Sequence, residues 1–209
     1  MKNTLLLYDL YFKRYTFYML ENTINILKKQ LESVPLAPIL VVGDLMLDEY
    51  HWCDVSRISP EAPVPVCKVN ETSLMPGGAG NVAHNITAMG HKAHIMGFIG
   101  KDSSGDKLQQ IMKQHHMTLT GVCVSEERST ILKSRIIARQ QQVVRVDREE
   151  NYPYSRKDFN MLFKQFEAQV KTASVVILSD YLKGTLTDSF TQKLIQCAQR
   201  HQKPVIIDP

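Results

Sequence analysis

Short apolar runs that each stop at an aspartate constrain this chain most. They are PILVVGD (38–44), HIMGFIGKD (94–102), SVVILSD (174–180) and PVIIDP (204–209). Apolar residues fill both faces of each run, which suits strands of a parallel sheet covered by helices on both sides. Between the runs the apolar period becomes helical. Val82, Ile86 and Met89 share a face, and Gly90 is placed to end that helix. Leu108, Ile111 and Met112 mark a second helix. Ser155 opens a third, with Asp158 three residues on and Phe159, Leu162, Phe163, Phe166 and Val170 as its stripe. Phe190, Leu194, Ile195 and Ala198 mark a fourth. The alternation predicts an α/β fold built of βαβ units. Ligands of open α/β sheets bind beyond the C-terminal strand ends. Asp44, Asp102, Asp180 and Asp208 are therefore candidate ligand groups, weighed against the plainer roles of turn former or helix cap.

Segments 62–70 (APVPVCKVN) and 129–147 (STILKSRIIARQQQVVRVD) mix polar residues into β-prone sequence. They read as exposed strands, a flap over the ligand edge of the sheet. Gln140, Gln141 and Gln142 are placed to turn the second segment back on itself, which would bring Arg135, Arg139 and Arg145 near a ligand.

Composition excludes several classes. A net charge of +4 over 209 residues is too small for an electrostatic nucleic-acid footprint. Cys53, Cys67, Cys123 and Cys197 are scattered with no C-x-x-C pair, which fits reduced thiols and not a zinc site or disulfide framework. His84, His91 and His94 cluster without an acid or cysteine at ligand spacing. Residues 1–37 form an N-terminal extension before the domain at 38–209. Asp9, Lys13 and Arg14 interrupt its apolar stretch, so no membrane span is expected, and it lacks the layout of a secretory signal. Leu20, Ile24, Leu27 and Leu31 lie on one helical face, which Pro35 terminates. A cytoplasmic chain without nucleic-acid or membrane partners is the expectation.

The cluster SLMPGGAGNVAHNITAMG (73–90) supports two readings. Gly78-x-Gly80-x-x-Ala83 fits a dinucleotide fingerprint, with Asp102 about twenty residues on. Against it, polar NETSLMP precedes the glycines where a buried strand is required. The second reading is a polyol loop. Gly77 and Gly78 let backbone approach a ligand, the helix start offers N–H groups, and Asn81 can both donate and accept. Asp44 and Asp48 would accept from hydroxyls.

The stretch GGAGNVAHNITAMGHKAHIMGFIG (77–100) resembles the first signature of the ribokinase/PfkB sugar-kinase family. VVGDLMLDEY, SRISPEAPVPVCKVN, PGGAGNVAHNI, RQQQVVRVDREE and LSDYLKG resemble the branch acting on D-glycero-β-D-manno-heptose 7-phosphate. The similarity runs from about residue 38 to the last residue. It implies a ribokinase-like fold: a mostly parallel central sheet flanked by helices, with a small β lid near 62–70 and 129–147. It implies ATP- and Mg²⁺-dependent phosphorylation at C1, on the route to ADP-heptose and the lipopolysaccharide core. Carried over by position, Asp48 would hold sugar hydroxyls, with Asp44, Gly77, Gly78 and Asn81 lining the pocket. Lys133, Arg135 and Lys183 would meet the substrate phosphate, and Asp180 would position Lys183 or simply end its strand.

The chain departs from the family in one respect. The Gly-Ala-Gly-Asp motif that carries the family's general base is absent, as is its Asn-x-x-Glu element. Gly78-Ala79-Gly80 is followed by Asn81. The C-terminal part of the fold is thus expected to be missing, with no catalytic residue and no metal site in this chain, which alone would be inactive. A Rossmann-type dinucleotide protein and a non-catalytic interaction protein remain alternatives, and the lid strands could support a homodimer.

Overall fold

A computed structural model describes residues 37–208 together with residues 23, 24 and 26. Contacts divide the chain between Leu36 and Ala37, and the second part carries the fold. Residues 23, 24 and 26 are helical; the remainder of the helix expected around Leu20, Leu27 and Leu31 lies outside the described residues.

In chain order the elements are β1 (Ile39–Gly43), β2 (Leu45–Ile58), β3 (Pro65–Gly78), α1 (Ala79–Ala88) and β4 (Ala93–Gly100). There follow α2 (Ser103–Gln114), β5 (Thr118–Ser125), β6 (Ile131–Ala138) and β7 (Gln141–Arg148). The last are α3 (Arg156–Val170), β8 (Val175–Ser179), α4 (Asp188–Arg200) and β9 (Val205–Asp208). One sheet has the order β5-β4-β1-β8-β9, and all its pairings are parallel. The aspartate-ended runs supply β1, β4, β8 and β9. β5 was not expected, because its Thr118, Thr120 and Gly121 break the apolar run.

Side chains alternate across this sheet, and each face has its own core. Leu40, Val42, Val176 and Leu178 pack with Leu162 and Phe166 of α3 and Phe190 and Leu194 of α4. Val41, Ile95 and Ile99 pack with Ala79, Ala83 and Ile86 of α1 and Leu108 and Met112 of α2. Ser155 caps α3 in a capping box with Asp158, as its sequence predicts. One expectation fails at α1. Its buried face is Ala79, Gly80, Ala83 and Ile86, whereas Met89 is the C-cap and 69% exposed. Small residues let this helix sit close to the sheet, and an apolar count alone overweights the large methionine. Gly90 does end the helix, at φ 86°.

The second sheet is the lid, with the order β3-β2-β6-β7. β2 pairs antiparallel with β3 and parallel with β6, and β6 pairs antiparallel with β7. The lid is larger than segments 62–70 and 129–147. β2 begins one residue after β1 ends, so Asp48 lies within a lid strand and not in an exit loop. Alternation in β2 is hidden because Leu45, Met46 and Leu47 are all buried. Pro76 lies in β3, an edge strand, where a missing N–H is tolerated. The β6–β7 hairpin turns at Arg139 and Gln140, both left-handed at φ 49° and 64°, one residue earlier than the glutamine run suggests. β7 is exposed along its whole length.

Candidate functional site

The strand order places β1 beside both β4 and β8, so the chain winds outward from β1 in two directions. A crevice opens at such a reversal, outside the strand ends. Asp44 stands there, directly after β1, and is fully buried. Its Oδ2 accepts the N–H groups of Tyr181 (2.9 Å) and Lys183 (3.0 Å), and Oδ1 accepts that of Thr185 (3.0 Å). Asp44 thus anchors the loop after β8, and this geometry gives it a different task from the sugar-hydroxyl acceptor expected. The loop is tightly wound, with Leu182 at φ 57° and Gly184 at φ 97°. Asp180 accepts the N–H of Leu182 at 2.8 Å, a local turn. Asp44 holds the Lys183 backbone directly, and Asp180 closes the turn just before it.

Asp48, Gly77, Gly78, Lys133 and Arg135 lie in strands of the lid, and Asn81 lies in α1. Asp48 of β2 lies opposite Lys133 of β6, and Tyr50 opposite Arg135. Arg135 Nη1 donates to Asp48 Oδ1 at 2.6 Å, with the guanidinium 5.1 Å from the Tyr50 ring centroid. The other Asp48 oxygen faces Gly77, where an added Cβ would collide with it. Gly78 sits at φ 58°, and a Cβ there would run into the Asp44 carbonyl. Gly77 and Gly78 thus pass the chain between two aspartates. Asn81 is exposed in the first turn of α1, whose N-terminus has no side-chain cap. The structure brings together Asp48, Gly77, Arg135, Lys133 and Lys183, with Asp44 beneath them.

Two acids escaped the sequence reading. Lys133 Nζ lies 2.8 Å from Asp147 Oδ2 and 3.7 Å from Glu149 Oε2, and Lys183 Nζ lies 2.8 Å from Glu149 Oε1. Glu149 therefore joins a lid lysine to a crevice-loop lysine. The bond from Lys133, helped by Arg145 and opposed by burial, holds the Asp147 carboxyl below the usual aspartate range. In the run RVDREE, the pairing of β6 with β7 sets Asp147 opposite Lys133. A cavity of 310 Å³ adjoins Glu149 and Lys183, lined also by Arg128, Tyr152 and Gly184.

Among the described residues no group of three or more His, Cys, Asp or Glu side chains is placed to hold a metal ion. Asp44 and Asp180 are committed to backbone N–H groups, and Asp48, Asp147 and Glu149 face arginine or lysine. These residues do not fit Mg²⁺. No helix among the described residues is long and apolar enough to cross a membrane.

The dinucleotide reading fails on Asp102. Its Oδ1 accepts the Gly105 N–H at 2.8 Å and its Oδ2 the Thr130 N–H at 2.7 Å, so it caps α2 and ties the chain before β6. The glycine-rich stretch also leaves a lid edge strand, not a central parallel strand. Burial opposes ionisation of Asp102, but bonds from Thr130, Gly105 and Ser104 outweigh it and hold its carboxyl below the usual range. A lowered folded pKa stabilises fully at pH values above the unfolded pKa, and the benefit is lost as pH falls through the folded value. Asp102→Asn is therefore expected to lower the urea midpoint at pH 7, with a gap to wild type that narrows below about pH 4. Urea titrations across pH 3–7 check this; a constant gap would remove Asp102 from the acid response.

A model of the pfkB family carbohydrate kinases matches residues 37–209. The chain belongs to that family. The bifunctional protein HldE of Desulfatibacillum aliphaticivorans is 40% identical over 171 residues, which are 82% of this chain and 35% of that protein. HldE of Haemophilus influenzae (strain PittEE) is 43% identical over 173 residues, 83% of this chain and 35% of its own length. Among solved structures, Arabidopsis thaliana ribokinase complexed with ribose and ATP matches with a TM-score of 0.59 at 17% identity. That match covers 83% of this chain and 53% of the ribokinase. The tetrameric inhibited form of Escherichia coli phosphofructokinase-2 matches with a TM-score of 0.60 at 19% identity, covering 82% and 54%. The ribokinase-like fold is thereby established, with a chain that spans about half of these kinases and about a third of the HldE proteins.

Proposed function

We propose that residues 37–209 form the sugar-phosphate half of a cytoplasmic kinase acting on heptose 7-phosphate, in the supply of ADP-heptose to the lipopolysaccharide core. The observation that carries this reading is Asp48, held by Arg135 over Gly77 on a lid face that also bears Lys133. The HldE relatives support the heptose assignment. A sugar hydroxyl donates to Asp48 over the bare Gly77–Gly78 backbone, within reach of Asn81. The phosphate takes the place of Asp147 and Glu149 at Lys133 and Lys183, with Arg135 beside them, because a dianion pairs with ammonium groups more strongly than either carboxylate does. Asp44 and Asp180 shape the loop that carries Lys183.

In the complete kinase, ATP would supply the phosphoryl group and leave as ADP, and Mg²⁺ would neutralise the charge on its phosphates. The motifs for that side are absent from this sequence, so the 209-residue chain by itself is proposed to transfer none.

Calorimetric titration of the purified chain tests the reading. Heptose 7-phosphate is expected to bind at least tenfold more tightly than heptose, with no ADP formed when ATP and Mg²⁺ are added. Equal affinity for the two sugars would remove the lysines from the site, and steady ADP release would refute the inactivity. The exposed valines of β7 also support pairing of two lids; a mass that doubles with concentration is expected by light scattering. Self-association without any sugar affinity would instead favour a non-catalytic interaction protein.

A further inference from the structure

Arg128 is a buried cation without an anion. It lies between β5 and β6 and is only 4% exposed. Its Nη1 donates to the Lys183 carbonyl at 3.3 Å and its Nη2 to the Glu150 carbonyl at 2.8 Å. The guanidinium sits 4.0 Å from the Tyr154 ring centroid. Among the described residues no carboxylate forms an ion pair with it, and its buried Nε has no hydrogen-bond partner. A buried charge is ordinarily paired. Glu149 shows the converse. Its Oε1 meets Lys183 Nζ at 2.8 Å, but its Oε2 is buried without a hydrogen-bond partner, 3.7 Å from Lys133 Nζ. Both residues line the 310 Å³ cavity. Glu149 follows β7 directly, and the next residue along is Glu150, whose carbonyl Arg128 already holds. An unfilled acceptor, an unfilled donor and open space thus adjoin.

We propose that Glu149 changes partner when the substrate phosphate arrives: the phosphate takes Lys133 and Lys183, and the displaced carboxylate swings through the cavity to Arg128 Nε. Arg128 is then a positioning residue, and the exchange sets specificity for a phosphorylated sugar. The inference rests on phosphate binding at the two lysines, as proposed above. A neutral sugar brings no charge to displace Glu149, so the lysines stay closed to it. A dianion displaces it readily, because the carboxylate moves from ammonium groups to the waiting donor of a guanidinium.

Magnetic resonance of the chain labelled with nitrogen-15 arginine tests the exchange without altering Arg128. Heptose 7-phosphate is titrated while the Arg128 Nε–H resonance is followed. A saturable downfield proton shift is expected, with the same midpoint as calorimetric binding. No shift is expected in Glu149→Gln, although that chain still binds. Affinities give a second readout. Arg128→Gln is expected to weaken heptose 7-phosphate binding about tenfold, because the displaced carboxylate then has no cation to receive it. In a Glu149→Gln background the same change is expected to cost less than about twofold, since no carboxylate is displaced. Three results would each overturn the exchange: binding that leaves the resonance unmoved, a shift that persists in Glu149→Gln and so places the ligand itself on Arg128, or an undiminished Arg128→Gln loss in the double variant. Absence of any heptose 7-phosphate binding would instead remove the lysine site and the exchange with it, so the two failures are told apart.

Discussion

An Asp44→Ala chain is expected to lose about 3–5 kcal/mol of stability, a large part of the 5–15 kcal/mol typical of a domain. Three N–H groups, those of Tyr181, Lys183 and Thr185, converge on this one buried carboxylate. Removing the carboxylate leaves them without that acceptor, the Thr185 N–H in a fully buried place and the other two part-buried, and an unpaired buried donor costs about 1–3 kcal/mol. Asp44→Asn is expected to fall between, since its oxygen still accepts while its NH₂ confronts a donor. Urea denaturation gives the size of the effect. Amide exchange at Tyr181, Lys183 and Thr185 gives its location, and those amides are expected to open before the core strands. An Asp44→Ala chain with wild-type stability and lost sugar affinity would make Asp44 a ligand group and not an anchor.

Asp48→Asn is expected to weaken heptose 7-phosphate binding about a hundredfold, or about 2.7 kcal/mol, because a charge-assisted acceptor of sugar hydroxyls becomes a neutral one. Stability is expected to change by less than about 1 kcal/mol, since this pair lies at the partly exposed lid face and Arg135 keeps its place over Tyr50. Calorimetry and urea denaturation on the same preparation separate the two effects. Undiminished affinity would move the sugar away from Asp48. Lost affinity together with a collapsed urea midpoint would make the Asp48–Arg135 pair a structural brace.

The parallel sheet was legible because burial on both faces writes an uninterrupted apolar run, as in Leu40–Val42 and Val176–Leu178. The lid was only half legible. Its outer strands carry mixed sequence that reads as exposed, but β2 is buried at its base and polar beyond it, so neither period shows. Of the aspartates at strand ends, residue type alone cannot separate Asp102, which caps a helix, from Asp44, which holds a distant loop. Sequence separations of about 140 residues lie between Asp44 and its partners, and only the fold brings them together. The role of Glu149 is hidden for the same reason: its two lysine partners belong to different parts of the architecture.

The register of the lid has a mechanical consequence. β2 and β3 leave and rejoin the parallel sheet side by side, with Leu45 opposite Gly78 and the Ala79 N–H donating to the Asp44 carbonyl at 3.0 Å. A lid that turned as a body about these two crossings would have its axle there. At about 3.3 Å per residue, Asp48 stands about 10 Å from the axle and Ile58 about 43 Å. A tilt of about 10° therefore swings the tip by about 7 Å yet displaces Asp48 by less than about 2 Å. The lever amplifies motion away from the crevice: what touches the outer end of the lid feels its angle strongly, while the carboxylate near the axle keeps its aim.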